Sequence, residues 1–361
     1  MALSWLTEYA SVMATIQPVV PSNTGFGLAV YCADVAFDGA GAERWRLYTD
    51  TSTLATELAA AEINADVVLA VTTAFAQTPR PASVAVIRCD LDNSESAGVE
   101  TYAIGLQAAV DGGLQFFYVC SESEVIADHV AIDAFTAAGR FLQICNDGDG
   151  DWKTSGQPAG YATIAASSAS AFCFHPTSGL HYAFALAARM SAVDPDVQSP
   201  SFRGPVASIA GYSLTLTATT KAFLLANSAN IMLPQVPGSS IESSGIGVAF
   251  GGERLKTILT KHWTEDRIET AIMNQVVKYE AIARAIPLDD RGVAIIDAVL
   301  EAHGQVGLRA GHYTTREDLP NGYEFSASID VPNKRITVTG EYGLLDGVEN
   351  FTVTADLTRT A

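Results

Sequence analysis

Residues 115–147 read QFFYVCSESEVIADHVAIDAFTAAGRFLQICND. Gln115–Ser121 is rich in aromatic and β-branched residues, the composition of a strand. From Ser123 the pattern becomes helical and ends at Gly139, a residue type that terminates helices. Arg140–Asp147 is a second short apolar run, again of strand length. Strand, helix, strand is the repeating unit of an α/β sheet.

The alternation continues on both sides. After the turn-rich PSNTGFG, Phe26–Val35 reads as a strand. TSTLATELAAAEINAD (51–66) reads as a helix, with Ser52 or Thr53 as its cap and Leu54, Leu58 and Ala61 at helical spacing. SVAVIRCD (83–90) is a strand preceded by a proline stop, and YAIGLQAAVDGG (102–113) is a helix with a Gly-Gly end. Downstream, FCFHP (172–176) is a short strand and SGLHYAFALAARMSAV (178–193) a helix. These elements predict an α/β sandwich around a central sheet.

After residue 245 the character changes. ERLKTILTKHW and TEDRIETAIMNQVVKYEAIARAI read as two helices, with Glu265 and Asp266 in the first turn of the second and Pro287 beyond its end. DDRGVAIIDAVLEAHG (289–304) predicts a helix capped by aspartate and stopped by Gly304. YEFSASIDV, KRITVTGEY and ENFTVTADLT alternate apolar and polar residues and predict three strands.

With 361 residues, the chain is long enough for two domains. Its 40 acidic residues against 21 basic ones leave a net charge of -19, which argues against binding nucleic acid through phosphates. The N-terminal MALSWLTEYASVMATIQ lacks a basic leader and an uninterrupted apolar core, so no secretory signal is expected. INADVVLAVTTAF, a prominent apolar run, is too short and interrupted to span a membrane. Five scattered cysteines, Cys32, Cys89, Cys120, Cys145 and Cys173, form no C-x-x-C pair and sit in apolar runs, as buried free thiols do. Their odd number leaves a disulfide between chains open as well.

CNDGDGDWKTSG (145–156) spaces Asp147, Asp149 and Asp151 like a calcium loop. A calcium loop counted from Asp147 needs glycine at the sixth position and glutamate at the twelfth, where this chain has Trp152 and Pro158. The three aspartates therefore remain a weak metal candidate, and a solvated Asp/Gly turn is the expectation. His175 and His181 flank PTSGL at a spacing that fits no common zinc pattern. No G-x-S-x-G elbow is present, and GIGVAFGG (245–252) comes too late in the chain for a dinucleotide fingerprint. No catalytic site and no cofactor is expected from these residues.

Two other features stand out. Ser11–Pro18, with Val12, Ala14 and Ile16, and Phe351–Leu357, with Phe351, Val353, Ala355 and Leu357, alternate like strands. They either pair within the fold or join a neighbour's sheet edge. Between Arg254 and Arg291 seven bases, including Arg254, Lys256, Lys261 and Arg267, meet six acids, so this stretch carries +1 and the remainder -20. That contrast suggests a face kept free of repulsion for an acidic partner, or helix charge paired at i,i+4.

LAVTTAFAQTPRPASVAVIRCD (69–90), FHPTSGLHYAFALAARMSAVDPDVQSPSFRGPVASIAGY (174–212) and HWTEDRIETAIMNQVVKYEAIARAIPLDDRGVAIIDAVLEAHGQVG (262–307) resemble, in this order, segments of contractile phage tail sheath proteins. The resemblance spans Gly25 to Gly307. It implies an outer α/β sandwich domain inserted into an α+β inner domain formed by both chain ends, with extended terminal strand arms. The corresponding boundaries are an N-terminal arm and inner strand at 1–22, an outer domain at 23–245, an inner domain at 246–340 and a C-terminal arm at 341–361.

A structural subunit rather than an enzyme is then expected. It would stack as six-fold rings of identical copies around a tail tube protein, between baseplate and tail terminator, and contract to drive the tube through a cell envelope. The resemblance makes strand donation the favoured reading of both termini and places Arg254, Lys256, Lys261 and Arg267 toward the tube. It implies a virion tail component assembled in the host bacterial cytoplasm, binding neither nucleic acid nor membrane, with an inter-subunit disulfide open to any of the five cysteines. The alternatives are a sheath of a phage-derived injection device, a soluble α/β enzyme with a dispersed site, and a calcium-dependent binding module.

Overall fold

The computed structural model describes residues 26–356 except 38–42, 92–98, 155, 157, 178, 180, 213–214, 235–241, 246, 282–285, 331, 333–334 and 345–346. Contacts divide the chain between His262 and Trp263 into an N-terminal unit and a C-terminal unit, Trp263–Ala361.

The N-terminal unit contains, in chain order, β1 (Ala29–Ala33), β2 (Trp45–Tyr48), α1 (Leu54–Ala59), α2 (Ala65–Phe75), β3 (Val84–Arg88), α3 (Tyr102–Asp111), β4 (Tyr118–Ser121) and α4 (Ile126–Ala138). There follow β5 (Leu142–Asp147), a single turn α5 (Asp151–Thr154), β6 (Ser170–Phe174), α6 (Tyr182–Ser191), β7 (Gly204–Pro205), α7 (Ala218–Ala226), β8 (Ala229–Asn230), β9 (Met232–Pro234) and β10 (Glu242–Ser244). Seven strands form one sheet in the order β2-β3-β1-β4-β5-β6-β8. Only β2 runs antiparallel to its neighbour; the central strand β1 aligns Val30 with Ala85 on one side and Val119 on the other. This is a mixed α/β fold with a predominantly parallel sheet.

Helices cover both faces. Leu28, Val30 and Cys32 pack with Tyr102, Leu106 and Ile132 of α3 and α4, while Tyr31 points the other way onto Phe184 of α6. Burial on both faces explains why β1, β3 and β6 are almost wholly apolar, Arg88 and Ser170 excepted, with all five residues of each buried. Helix α6 is buried at all ten positions, so its sequence is apolar all round except for Arg189 and the terminal Ser191.

The helix expected over 51–66 is shorter than its alanine-rich pattern suggests. The chain leaves α1 at Ala60 and turns through Ala61 (φ 58°). Asn64 then starts α2, its side-chain oxygen accepting from Val67 N at 2.9 Å. A local cap outweighs propensity here, and the apolar run 63–75 becomes the helix.

The two helices expected from 253 onward are one, α8 (Leu255–Ala281). Trp263 and Thr264 are buried in its middle, so Glu265 and Asp266 lie inside the helix rather than in a first turn.

In the C-terminal unit, α9 (Asp290–Ala310) is capped by Asp289, whose Oδ1 accepts from Arg291 N at 2.9 Å. It continues past the expected stop at Gly304 and ends at Gly311 (φ 77°). Glycine at 304 serves close packing: a Cβ there would lie 2.1 Å from the ring of Tyr323, and one at Gly307 2.1 Å from the ring of Tyr313. The expected strands form an antiparallel sheet, β11 (Tyr323–Asp330), β12 (Arg335–Leu344) and β13 (Gly347–Asp356), with β12 central. Its core is aromatic. Trp263 stacks on His312 at 4.1 Å, and His303 Nε2 meets the Tyr313 hydroxyl at 3.1 Å.

Candidate functional site

In an open parallel sheet, ligands bind beyond the C-terminal strand ends where the strand order reverses. Here that point lies between β1 and β4. Asp34 follows β1 and Glu122 follows β4, and the Glu122 carboxylate occupies the crevice. It accepts from Asp34 N at 2.6 Å, Asn64 Nδ2 at 2.9 Å and the Tyr102 hydroxyl at 3.4 Å. Asn64 also donates to Asp34 O at 3.2 Å while capping α2. Burial, helped by the charges of Asp34 and Asp66, pushes the Glu122 carboxyl above its ordinary range. The donors that would greet a ligand anion in this class of sheet are engaged by the chain's own carboxylate.

Beside it, the Tyr31 hydroxyl meets His181 Nδ1 at 3.0 Å, and His181 Nε2 lies 4.0 Å from Asp66 Oδ1. His181 adopts a left-handed backbone (φ 50°) at the start of α6, whose Ala183 N is capped by Asn146 Oδ1 at 2.8 Å. Burial pushes the imidazole pKa down and the phenol pKa well up, so both rings are neutral near pH 7. Such a pair fastens α6 to the sheet. The Asn64–Asp34–Glu122 network was not legible in the sequence, although a carboxylate directly after a strand is the one signal that marks Glu122. His175 is likewise interior, its two ring nitrogens facing Thr177 O and Ala210 O.

The calcium-like loop is built differently from a solvated turn. Asp147 is only 5% exposed, and its carboxylate accepts from Trp152 Nε1 at 2.9 Å, Tyr161 Oη at 3.2 Å and Asp149 N at 2.7 Å. Asp149 Oδ1 accepts from Asp151 N at 2.8 Å. Asp147 thus anchors the loop while Trp152 stacks on Phe172 at 3.8 Å. Of the three aspartates, Asp149 and Asp151 are exposed. Among the described residues, no group of three or more His, Cys, Asp or Glu side chains is placed to hold a metal ion.

All five cysteines are free and buried, none more than 2% exposed. Burial pushes the Cys89, Cys120, Cys145 and Cys173 thiols well up, away from reactive thiolate. A disulfide between copies finds no surface sulfur in this conformation. An aromatic disulfide reagent at pH 8 is therefore expected to titrate almost no thiol in the native protein and all five after denaturation. Rapid native titration of even one would show that the interior opens.

Of the four basic residues marked by the sequence, Lys256, Lys261 and Arg267 lie on α8 and Arg254 directly precedes it. Arg254 is exposed and bridges to Val248 just before α8. Lys256 is half-buried against Tyr118, Leu142 and Leu259, and Lys261 is exposed. These three belong to the N-terminal unit, whereas Arg267 belongs to the C-terminal unit and pairs with Asp266 at 3.5 Å. Of the terminal strand residues, Phe351, Val353 and Ala355 lie in β13, opposite Gly340, Val338 and Ile336 of β12. Val12, Ala14, Ile16 and Leu357 lie outside the described residues.

No protein-family model matches the sequence, and no curated protein matches it. Solved structures do. Over 98% of its length this chain shares the fold of the sheath tail protein from Listeria innocua, covering 99% of that chain with a TM-score of 0.67 at 9% sequence identity.

Proposed function

We propose that the chain is the structural subunit of a contractile tail sheath. The observation that carries this reading is the length of the shared fold, 98% of one chain and 99% of the other, which takes in both units rather than one common α/β sheet. A switch point occupied by Glu122 supports a structural rather than a catalytic role. Copies stack as six-fold rings around a tail tube protein, bounded by baseplate and tail terminator, in a virion tail assembled in the bacterial cytoplasm. Contraction of the stack drives the tube through the cell envelope. Residues 23–245 form the outer domain, and 246–340 belong to an inner domain.

Neighbours are joined by terminal strands. Among the described residues β13 pairs only with β12, which leaves its second edge for a strand from another copy. The alternating Val12, Ala14 and Ile16 suit that edge, and Phe351, Val353, Ala355 and Leu357 belong to the same junction.

Negative-stain microscopy of the purified full chain, beside a chain lacking residues 1–18, tests both statements. Hollow, cogwheel-ended tubes are expected from the first, and folded but dispersed particles from the second. Dispersed full-length protein under all assembly conditions overturns the sheath reading. Ordinary tubes from the truncated chain overturn the joining role of the N-terminal strand.

A further inference from the structure

Charge in the N-terminal unit is sorted along the strand axis. Parallel strands place all their C-terminal ends on one edge of the sheet and their N-terminal ends on the other. The loops leaving β4 and β5 carry Glu124, Asp149 and Asp151, all exposed, with Lys153 the only base in those loops. The opposite edge gathers cations around the starts of β4 and β5, alongside the acidic Asp111 and Glu253. Arg140 lies just before β5, and the first turns of α8 bring Lys256 and Lys261. Lys256 lines a small pocket with Tyr118 and Leu142, the first residues of β4 and β5. Arg140 and Lys261 both act on His262, whose ring stands 5.8 Å from Phe117.

Arg140 directly follows the C-terminal end of α4, whose negative dipole end suits one cation. Lys256 and Lys261 are different. Among the described residues neither has a carboxylate partner, in a protein with 40 acidic residues against 21 basic ones. Lys256 is moreover half-buried, so its unpaired charge carries a desolvation cost. Beside Lys261 opens a cleft of ≈ 470 Å³ lined by Thr136, Gly139, Ser167 and Ser168, together with Glu253 and with Asp133, whose Oδ1 already accepts from the Ser167 and Ser170 hydroxyls.

We propose that this cationic edge docks a second copy of the chain, Arg140, Lys256 and Lys261 of one copy receiving Glu124, Asp149 and Asp151 of the next. The inference rests on the self-assembly reading above and names the contact by which it proceeds. A second copy is favoured because the complementary patch sits on the opposite edge of the same sheet. The two patches differ, so the contact is heterologous: it does not close into a dimer but extends, as a stacked polymer requires.

The test uses the full chain with two sets of substitutions, Lys261→Glu and the pair Asp149→Lys and Asp151→Lys, with circular dichroism and thermal melting confirming the fold. Self-association is read by sedimentation at low and high sodium chloride. Wild-type association is expected to weaken as salt rises, and each variant alone to associate about tenfold more weakly or less, because like charges then face each other. Mixing the two variants is expected to restore association, since a reversed cationic edge meets a reversed acidic edge. Variants that associate like wild type, or a folded mixture that stays dispersed, overturn the docking contact. Microscopy separates the two readings: normal tubes from both variants sink this contact and leave the sheath standing, whereas a wild type that never self-associates sinks both.

Discussion

Arg189→Ala is expected to destabilise the N-terminal unit by about 3–5 kcal/mol, among the larger effects a single substitution produces. Arg189 is 4% exposed within α6 and has no carboxylate among its partners. Its guanidinium donates to Pro205 O at 2.7 Å, to Ser201 O and Ser244 Oγ at 3.2 Å each, and to Phe202 O. One fork therefore holds the 201–205 segment and β10 against the buried helix. Burial pushes the guanidinium pKa down, and the surrounding carbonyl dipoles offset that cost. Truncation removes the donor from the Pro205 and Ser201 carbonyls, leaves Phe202 O to Ser244 Oγ alone, and opens a cavity beside the buried helix. Arg189→Lys should fall between, because an ammonium cannot span the same acceptors. Urea denaturation followed by circular dichroism should show the N-terminal unit's transition at lower denaturant; an unchanged midpoint would refute the clamp.

Acid is expected to destabilise the C-terminal unit through His303. The imidazole is packed among Trp263, Tyr313 and Phe325, and burial, followed by the charges of Arg267 and His312, pushes its pKa down to about 3. The unfolded chain takes up that proton near pH 6.5 while the folded chain refuses it. Stability is thus fully present above pH 6.5 and is lost as pH falls toward 3, by on the order of 4 kcal/mol at the low end. His303→Phe keeps the ring stacking and removes the proton, so its stability should vary less between pH 6.5 and 3. Equal slopes for variant and wild type would contradict the assignment. His262, pushed down to about 4 by burial and by Lys261 and Arg140, gives the N-terminal unit a dependence of the same sign.

The elements were legible where one local signal dominated. Strands buried on both faces announce themselves as apolar runs, and Asp289 and Asn64 cap helices because their side chains satisfy nearby amides. Reading failed where a distant partner changed the meaning of a residue. Gly304 looks like a stop, yet it is an opening for the Tyr323 ring. Asp147 looks like a solvated turn residue, yet Trp152 and Tyr161 hold it inside. Glu265 and Asp266 look like a first turn, yet the helix passes through them because Trp263 and Thr264 are buried in it.

The α/β class, the switch to helices and antiparallel strands after residue 245, and the acidic balance of the chain all follow from composition and periodicity, which act over a few residues. The filling of the crevice by Glu122, the clamp at Arg189 and the opposite charges of the two sheet edges do not. Each depends on groups far apart in the chain, and only the packing of strands in the order β2-β3-β1-β4-β5-β6-β8 brings them within hydrogen-bonding or Coulombic range.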